Sequence, residues 1–351
     1  MLRSYDVDQV AKIFKRFADI ECKGKSNLYY QLAHQLANDQ LILQLCSECR
    51  ERQPIPNLLF GAVHFLLLCQ SGQELAVHYP SISEKQSSEI PYALFRTFCL
   101  QNEDKIKEIL KTRIVQTNAV NRTSYLMPII SSLYQRDELL AVIDIGASSG
   151  LALNYDEYKY VYENGPVFGQ GKVEIRSENR QGELPPFKVV KRATRKIGID
   201  QNILDVSIAD NALWLKGLIW PDLLDRFTRI ESAIDQYRTT KNISLVEGKS
   251  IADFESIIQS VPQNEALFIY HTHVLYQFTI EERKAFRQMM QKIGTTRDFN
   301  YLAVEGGSVF DNPSYKMGEV VMELTSFREG QEQTKFLGKV DAHGRWMEWD
   351  N

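Results

Sequence analysis

The first part of the chain carries apolar residues at helical spacing. From Val10 to Ile20 they recur three and four positions apart, which predicts an amphipathic helix that ends before Gly24. Asn57 follows a Pro-rich stop and is expected to cap the apolar helix after it. The same spacing predicts helices over 28–49, 92–100, 103–116 and up to about residue 134, with a loop over 70–91. We therefore expect an all-helical domain over residues 1–137.

Beyond residue 138 the pattern changes to short apolar runs separated by helical stretches. The runs are Leu139–Ile145, Lys196–Ile199, Ile243–Val246, Ala266–Tyr270 and Tyr301–Val304. Short strands that alternate with helices are typical of a parallel sheet covered on both faces. Alternating positions within Val320–Trp349 predict a closing antiparallel hairpin. We predict an α/β fold, with a Rossmann-like, mostly parallel sheet over 138–351 and an insertion near 165–190.

Composition and charge narrow the class of protein. The 351 residues are 44% hydrophobic and 25% charged, and 41 basic against 45 acidic residues give a net charge of −4. This balance is typical of a globular protein and offers no basic footprint for nucleic acid or an anionic membrane. The longest apolar stretch, Leu58–Cys69, is too short to span a bilayer, and MLRSYDVDQV lacks a signal-peptide core. We expect a cytoplasmic protein that acts on a small molecule, and the oligomeric state stays open.

Two groups of residues are interpreted as structural. All five cysteines lie in the first 100 residues, and Cys46 and Cys49 form a lone CxxC inside a helical pattern. A zinc site would need a second pair of ligands, so we expect no metal there. A solvated surface is expected for the basic cluster of Lys188, Lys191, Arg192, Arg195 and Lys196.

A glycine-rich loop follows the first predicted strand, where sheets of this kind bind cofactors. The dinucleotide pattern G-x-G-x-x-G would need glycine at positions 148 and 151, and the chain has Ser148 and Leu151. The S-adenosylmethionine pattern, an acid followed by G-x-G-x-G, resembles Asp144, Gly146, Ser148 and Gly150. A carboxylate at this point suits the ammonium group of that cofactor better than a pyrophosphate. The loop therefore favours S-adenosylmethionine, with a plain tight turn as the alternative.

A second carboxylate ends the second predicted strand. Acids at this place bind ribose hydroxyl groups, usually about 20 residues after the glycine loop. Asp200 lies 200 − 150 = 50 residues after Gly150, which requires the insertion near 165–190. A turn carboxylate is the alternative role for Asp200, and Glu174 and Glu178 compete for the ribose on spacing.

Motifs along the whole chain resemble those of one bacterial family. They are Pro56-Asn57-Leu58-Leu59 with Ala62-Val63-His64, Phe95-Arg96-x-Phe98-Cys99, Val115-Gln116-Thr117-Asn118-x-Val120-x-Arg122, Gly146-Ala147-Ser148-x-Gly150-Leu151, Asp200-x-Asn202-x-Leu204-Asp205, Leu218-x-Trp220-Pro221 and His343-Gly344-Arg345-Trp346-x-Glu348-Trp349. The family is domain of unknown function 2332. The resemblance implies a helical domain followed by a sheet like that of S-adenosylmethionine-dependent methyltransferases. It also implies an acid after the third strand for the adenine amino group; Lys249 stands there, with Glu247 and Asp253 as substitutes.

Candidate catalytic residues follow the later strands. His271 and His273 come after the fourth strand, where either could act as a general base because imidazole titrates near neutral pH. A metal pair and a hydrogen-bonded turn are the alternatives. Glu305 follows the fifth strand and is predicted to line the pocket. Asn118 and Arg122 lie in an apolar helical context, where they form either buried hydrogen bonds or a substrate site in which Arg122 holds an anion.

Together these features predict an S-adenosylmethionine-dependent methyltransferase for a small molecule. The expected cofactor-binding residues are Asp144, Gly146, Ser148, Gly150, Asp200 and Glu247. The alternative is a catalytically degenerate sheet that binds a nucleotide or a protein partner, which Ser148 and Lys249 favour. The missing glycines disfavour an NAD-dependent oxidoreductase.

Overall fold

The computed structural model describes residues 6–84, 91–163 and 165–350. Eleven α-helices lie in these ranges: α1 (Val7–Arg16), α2 (Asn27–Leu36), α3 (Gln40–Ser47), α4 (Ile55–Cys69), α5 (Tyr92–Gln101), α6 (Glu103–Thr112), α7 (Thr123–Leu133), α8 (Ala209–Gly217), α9 (Leu224–Thr239), α10 (Ile251–Gln259) and α11 (Ile280–Gly294). None of these helices is long and apolar enough to cross a membrane. In the loop predicted over 70–91, residues 85–90 lie outside the described ranges, and Glu74–His78 forms a short 3-10 helix.

Eleven strands of the described residues form one sheet. They are β1 (Leu140–Ile145), β2 (Lys159–Glu163), β3 (Val167–Phe168), β4 (Glu174–Gln181), β5 (Arg195–Asp200), β6 (Ile243–Glu247), β7 (Ala266–Thr272), β8 (Phe299–Gly306), β9 (Val320–Arg328), β10 (Gln331–Val340) and β11 (Trp346–Trp349). Their order across the sheet is β3-β2-β4-β11-β10-β9-β8-β7-β1-β5-β6.

Most strand pairs in this sheet are parallel. The neighbours in the run β6-β5-β1-β7-β8 are all parallel, and β9 and β10 add an antiparallel hairpin beside β8. The predicted mixed α/β sheet with its antiparallel hairpin is therefore confirmed. The predicted insertion extends the same sheet, because β4 pairs in parallel with β2 and β11.

The chain divides into two compact units that interleave in sequence. The helical unit comprises Met1–Thr117 and Val206–Glu231, and the sheet unit comprises Asn118–Asp205 and Ser232–Asn351. One boundary near residue 137 was expected. Helix α7 instead belongs to the sheet unit, because Tyr134 just beyond it donates a hydrogen bond to a carbonyl of β7 at 2.8 Å.

The core of the helical unit surrounds Phe60 of α4. Its ring stacks on Tyr29 with 4.4 Å between centroids and meets Phe14 edge-on at 5.9 Å. Helix α4 is buried from Ile55 to Leu67 except at Asn57, which explains its nearly continuous apolar sequence. The predicted helix over 28–49 is in fact two helices, because Asp39 caps α3 and so interrupts the run.

Two polar residues of α4 form structural hydrogen bonds. The Nδ1 atom of His64 lies 3.1 Å from the Gly217 carbonyl oxygen, and its Nε2 atom lies 2.8 Å from Ser81 Oγ. Asn57 does not cap α4, which begins two residues earlier behind a proline. Its side-chain oxygen accepts a hydrogen bond from Trp220 Nε1 at 3.3 Å instead.

The sheet unit has a core on each face of its parallel strands. On one face, Ile143 and Ile145 of β1 pack with Phe254 of α10 and Phe286 of α11. On the opposite face, the Tyr134 ring meets Phe268 of β7 edge-on. Strands buried on both faces hold the residues at their ends in fixed positions.

Two lysines of the predicted surface cluster are buried. Lys191 donates hydrogen bonds from Nζ to backbone carbonyls at the end of α7, including Arg136 at 3.2 Å. Lys196 forms an ion pair with Asp156. The expectation of a fully solvated cluster was therefore wrong, because each ammonium group has acceptors within the fold that the sequence does not reveal.

The CxxC pair lies in the core of the helical unit. Cys46 and Cys49 are both free and buried, and burial raises the pKa of Cys49 to about 12. Such thiols are protonated at neutral pH and unreactive. Within the described ranges, no three His, Cys, Asp or Glu side chains are grouped to hold a metal ion.

Candidate functional site

The carboxyl ends of β6, β5, β1, β7 and β8 meet at one edge of the sheet, here called the carboxyl edge. The polar residues at these ends are Glu247, Asp200, Asp144 with residues 146–150 (the glycine loop), His271 with His273, and Glu305. The chain runs from β1 to β5 and β6 on one side, and then to β7 and β8 on the other. Ligands of open α/β sheets bind at such a point of reversal.

The glycine loop turns sharply through three left-handed residues. Gly146, Ser148 and Gly150 have φ values of 81°, 52° and 70°. The N–H of Gly146 donates to the carbonyl of Ile199 in β5 at 2.8 Å. A Cβ atom on Gly146 would lie 2.4 Å from Val274 Cγ2, so only glycine lets the loop after β7 pack this closely.

Two side chains fix the conformation of the glycine loop. Asp200 accepts a hydrogen bond from the Ser148 N–H at 2.8 Å and another from the Asn202 N–H at 2.7 Å. Asn118 donates from Nδ2 to Ser148 Oγ at 2.9 Å and accepts from the Ser149 hydroxyl. Burial raises the pKa of Asp200, although these N–H groups oppose the shift. Asp200 and Asn118 thus both meet the glycine loop.

Asp144 is a buried carboxyl group beside the glycine loop. It lies in register with Tyr270 of β7 and Gly198 of β5, and only 5% of it is exposed. Burial raises the pKa of Asp144 to about 8, with a contribution from the negative charge of Asp200. The Tyr270 hydroxyl and the Arg122 guanidinium act against this shift. Asp144 therefore carries a proton for much of the time at neutral pH.

His271 and Glu305 form a buried pair. His271 is fully enclosed, with Nδ1 3.0 Å from Glu305 Oε1 and Nε2 2.5 Å from Tyr301 Oη. The same carboxylate oxygen accepts hydrogen bonds from the N–H groups of Val274 and Leu275, at 2.5 and 2.7 Å. Burial alone would raise the pKa of Glu305, but His271 and these N–H groups hold it below its ordinary value. The pair shapes the loop after β7.

The two predicted catalytic histidines have different surroundings. His271 is in register with Ile145, so its side chain faces α11, opposite to the side chain of Asp144. His273 follows the end of β7 with φ of 56° and is half-buried. Its Nε2 atom is buried and has no hydrogen-bond partner among the described residues. Burial lowers the pKa of His273 to about 4, and Arg122 adds to the shift, so the ring is neutral at pH 7.

Arg122 reaches the end of β7 from the segment before α7. It donates from Nε to the carbonyl oxygen of Ala342 at 2.9 Å and from Nη1 to Thr272 Oγ1 at 3.1 Å. Asn121 beside it donates to the carbonyl oxygen of Gly344 at 2.6 Å. The structure therefore places Arg122 at the carboxyl edge, next to His273.

Glu247 is an exposed residue at the end of β6. It pairs in register with Asp200 and forms an ion pair with Lys249, with 2.5 Å between Nζ and Oε1. Asp253 is the third residue of α10 and completes a capping box with Ser250, accepting from the N–H groups of Lys249 and Ser250 at 2.9 Å. Asp253 thus stabilises the start of the helix, and Glu247, paired with Lys249 at the surface, is the acid that lies beside Asp200.

Glu174 and Glu178 do not approach the glycine loop. Both lie on β4, which is separated from β1 by β11, β10, β9, β8 and β7. Glu174 pairs with Lys159 at 2.7 Å, and Glu178 pairs with Arg180 at 2.7 Å. Their spacing in sequence was misleading, because the predicted insertion extends the far side of the sheet.

Sequence reasoning missed three residues near Asp144 and Arg122. Tyr270 ends an apolar run and was therefore interpreted as a core residue. Thr272 lies between the two histidines and was not considered separately. Tyr125 lies on α7, and its pKa is raised by burial and altered by the charges of Arg122 and Asp144. Its buried hydroxyl has no partner among the described residues. A polar atom within an apolar run was the only available signal.

Comparison with known protein families identifies the family of the chain. The family model described as "Uncharacterized protein conserved in bacteria (DUF2332)" matches residues 11–349. The chain belongs to this family. The family expected from the DUF2332 motifs is therefore confirmed, while methyltransferase activity stays a prediction. No curated protein sequence matches the chain.

Proposed function

We propose that this DUF2332 protein is an S-adenosylmethionine-dependent methyltransferase for a small molecule, with the cofactor beside the glycine loop. The observation that carries the proposal is the buried carboxyl group of Asp144. Burial and the charge of Asp200 raise the pKa of Asp144 to about 8. Groups with strongly shifted pKa values cluster at functional sites.

A cationic ligand would relieve the electrostatic conflict between Asp144 and Asp200. S-adenosylmethionine carries an ammonium and a sulfonium group, and either would favour the ionised form of Asp144. The pyrophosphate of NAD would instead add negative charge to two carboxyl groups. The charge pattern therefore supports a cationic cofactor over a dinucleotide.

The order of the parallel strands supports this location. Numbered along the chain, β6-β5-β1-β7-β8 has the order 3-2-1-4-5, which is found in doubly wound nucleotide-binding sheets. In those sheets the ligand lies at the carboxyl ends of the strands, where the order reverses. Here that point lies between β1, with Asp144, and β7, with Tyr270 and His273.

The residues at the carboxyl edge are suited to such a ligand. Asp144 would pair with the ammonium group, and Asp200 and Glu247, neighbours in register, would take ribose hydroxyl groups. Asn118 holds Ser148 and thereby preserves the loop conformation. The bound cofactor would supply an activated methyl group.

The site offers positioning more than strong base catalysis. His271 is fully buried, with Nδ1 3.0 Å from Glu305 Oε1 and Nε2 2.5 Å from Tyr301 Oη. A pKa of about 4 makes His273 a weak base, suited to hydrogen bonding as a neutral ring. An acceptor that needs little deprotonation fits this site best, because orientation and exclusion of water then supply the rate.

Ligand binding without catalysis is the second candidate. Val274 packs against Gly146, where nucleotide-binding loops leave their backbone open to the ligand. If Val274 fills part of the space that a nucleotide would need, the sheet would bind a smaller ligand or a protein partner.

Calorimetric titration with S-adenosylmethionine, S-adenosylhomocysteine and NAD tests the proposal. We expect micromolar binding of the first two only, and at least about tenfold weaker binding by Asp144→Asn. The control is Asp311→Asn, which changes an exposed acid and should bind like the wild type. No binding of either sulfur compound by the wild type would overturn the cofactor assignment.

A further inference from the structure

Arg122 is a charged side chain whose described partners are all neutral. Its Nε atom donates to a carbonyl and its Nη1 atom to the carbonyl and hydroxyl oxygens of Thr272. It is half-buried and forms no ion pair with any of the described residues. Partly buried guanidinium groups are normally paired with an anion, because desolvation of an unpaired charge is costly.

His273 stands next to Arg122 in a strained conformation. A φ of 56° is unusual for a residue with a side chain, and such strain persists where the surroundings impose it. The N–H of His273 donates to Val304 at 2.9 Å, and Glu305 holds the next two N–H groups. The imidazole is thus presented with a buried, unpartnered Nε2 atom beside the guanidinium.

We propose that Arg122, Thr272 and His273 form a subsite for the carboxylate group of a ligand. Arg122 would supply the positive charge and a planar pair of hydrogen-bond donors. The neutral ring of His273 would donate a further hydrogen bond. In assigning this ligand to methyl transfer the inference rests on the proposed function. The subsite itself stands on the geometry of these three residues.

The charges around the subsite favour a singly charged group. Asp341 and Glu305 influence the titration of His273, and Asp144 lies within the electrostatic range of Arg122. Arg345 is already paired with Asp341 at 3.0 Å, so a ligand here meets the one charge of Arg122, which does not balance the two charges of a phosphate monoester. A planar carboxylate matches the guanidinium in both charge and shape.

Two ligands could supply the carboxylate group at this edge of the sheet. It belongs either to the methyl acceptor or to the amino-acid part of the cofactor. Both sources require the same recognition chemistry, so one subsite serves either.

Sodium acetate is the probe for the subsite in the free, full-length protein. The chain has six histidines, so imidazole NMR signals from selectively labelled protein are few. His273→Asn identifies the signal of interest, since asparagine tolerates left-handed backbone. We expect acetate to shift the His273 signal saturably, with sodium chloride of equal ionic strength and the half-exposed His34 ring as controls.

Variants of Arg122 separate the subsite from a general salt effect. Arg122→Gln should weaken acetate binding about fivefold or more, and Arg122→Lys should retain part of it because the charge remains. Equal response to acetate and chloride in the wild type would overturn the subsite, whatever the folding of the variants. So would unchanged acetate affinity in folded Arg122→Gln, and tighter binding of inorganic phosphate would overturn the carboxylate assignment.

Two nucleosides then distinguish the sources. S-adenosylhomocysteine carries a carboxylate, and 5′-methylthioadenosine does not. If only S-adenosylhomocysteine displaces acetate, the subsite holds the carboxylate of the cofactor. If acetate and S-adenosylhomocysteine bind together, the subsite holds the carboxylate of the methyl acceptor. Both results support a carboxylate subsite. If neither nucleoside binds, the proposed function fails while the acetate result still decides the subsite.

Discussion

Lys196 and Asp156 form an ion pair in the interior of the sheet unit, with 2.5 Å between Nζ and Oδ1. Only 1% and 2% of the two side chains are exposed. Asp156 also accepts a hydrogen bond from the N–H of Ala193 at 3.0 Å. Asp156 lies in the 3-10 helix that follows the glycine loop, and Lys196 lies on β5. The pair therefore ties the segment behind the loop to the strand that carries Asp200.

Removal of one partner should destabilise the protein strongly. Asp156→Ala leaves a buried ammonium group unpaired, which should cost about 3–5 kcal/mol of unfolding free energy. Urea denaturation measures this loss. Glu247→Ala breaks an exposed pair with Lys249 and should reduce stability far less, because solvent screens exposed charges. Equal losses in the two variants would contradict the structural role of the buried pair.

Gly146→Ala should destabilise through both conformation and contact. The residue has φ of 81°, and its new Cβ atom would lie 2.4 Å from Val274 Cγ2. Gly318→Ala is the control, because Gly318 has φ of 89° and open space around it. That control should cost about 1–2 kcal/mol, and Gly146→Ala should cost more. Val274→Ala should recover the difference in a double-mutant cycle, and additive losses would argue against the contact.

Asp144→Asn should stabilise the protein increasingly as the pH rises. Below pH 4 the carboxyl group is protonated in both the folded and the unfolded chain. Between pH 4 and pH 8 it ionises only in the unfolded chain, because its folded pKa is raised to about 8. At pH 7 the variant should therefore gain roughly 2–4 kcal/mol relative to its effect at pH 4. A gain independent of pH would show that Asp144 is not held in its neutral form.

His64 should make stability depend on pH in the acid range. Burial lowers its pKa to about 4 in the folded protein, from 6.5 in the unfolded chain. Its contribution is complete above pH 6.5 and is lost as the pH falls towards 4, by about 3 kcal/mol. Denaturation of His64→Gln at pH 7 and pH 4.5 should show a smaller acid loss than the wild type. His34→Gln changes a half-exposed ring and should keep the wild-type dependence.

The positions of the parallel strands were predictable from the local sequence pattern, but the pairing of distant strands in the sheet was not. Each apolar run from Leu139–Ile145 to Tyr301–Val304 became a strand with ends within about two residues, because burial on both faces demands continuous apolar sequence. The pairing of β4 with β11 joins residues that are far apart in sequence, such as Glu178 and Trp346, which are 346 − 178 = 168 positions apart. No local signal encodes such a pair.

The glycine loop and the acids at the strand ends were predictable from the sequence, but the side-chain pairs around them were not. Asp144 and Asp200 were expected at strand ends, and the structure brings Asp200 to the N–H of Ser148. The pairing of His271 with Glu305 was not predicted, because alternation along β7 decides which histidine faces α11. The burial of Lys196 was missed for a similar reason: its partner, Asp156, is distant in sequence.

Proton release on ligand binding shows whether Asp144 meets a cationic ligand. S-adenosylhomocysteine would be titrated calorimetrically at pH 7 in two buffers of different ionisation enthalpy. Because the pKa of Asp144 is raised to about 8, pairing with the ligand ammonium should release close to one proton per binding event. Asp144→Asn should release none. Binding without proton release by the wild type, or no binding at all, would show that Asp144 does not bind the ammonium group of this ligand.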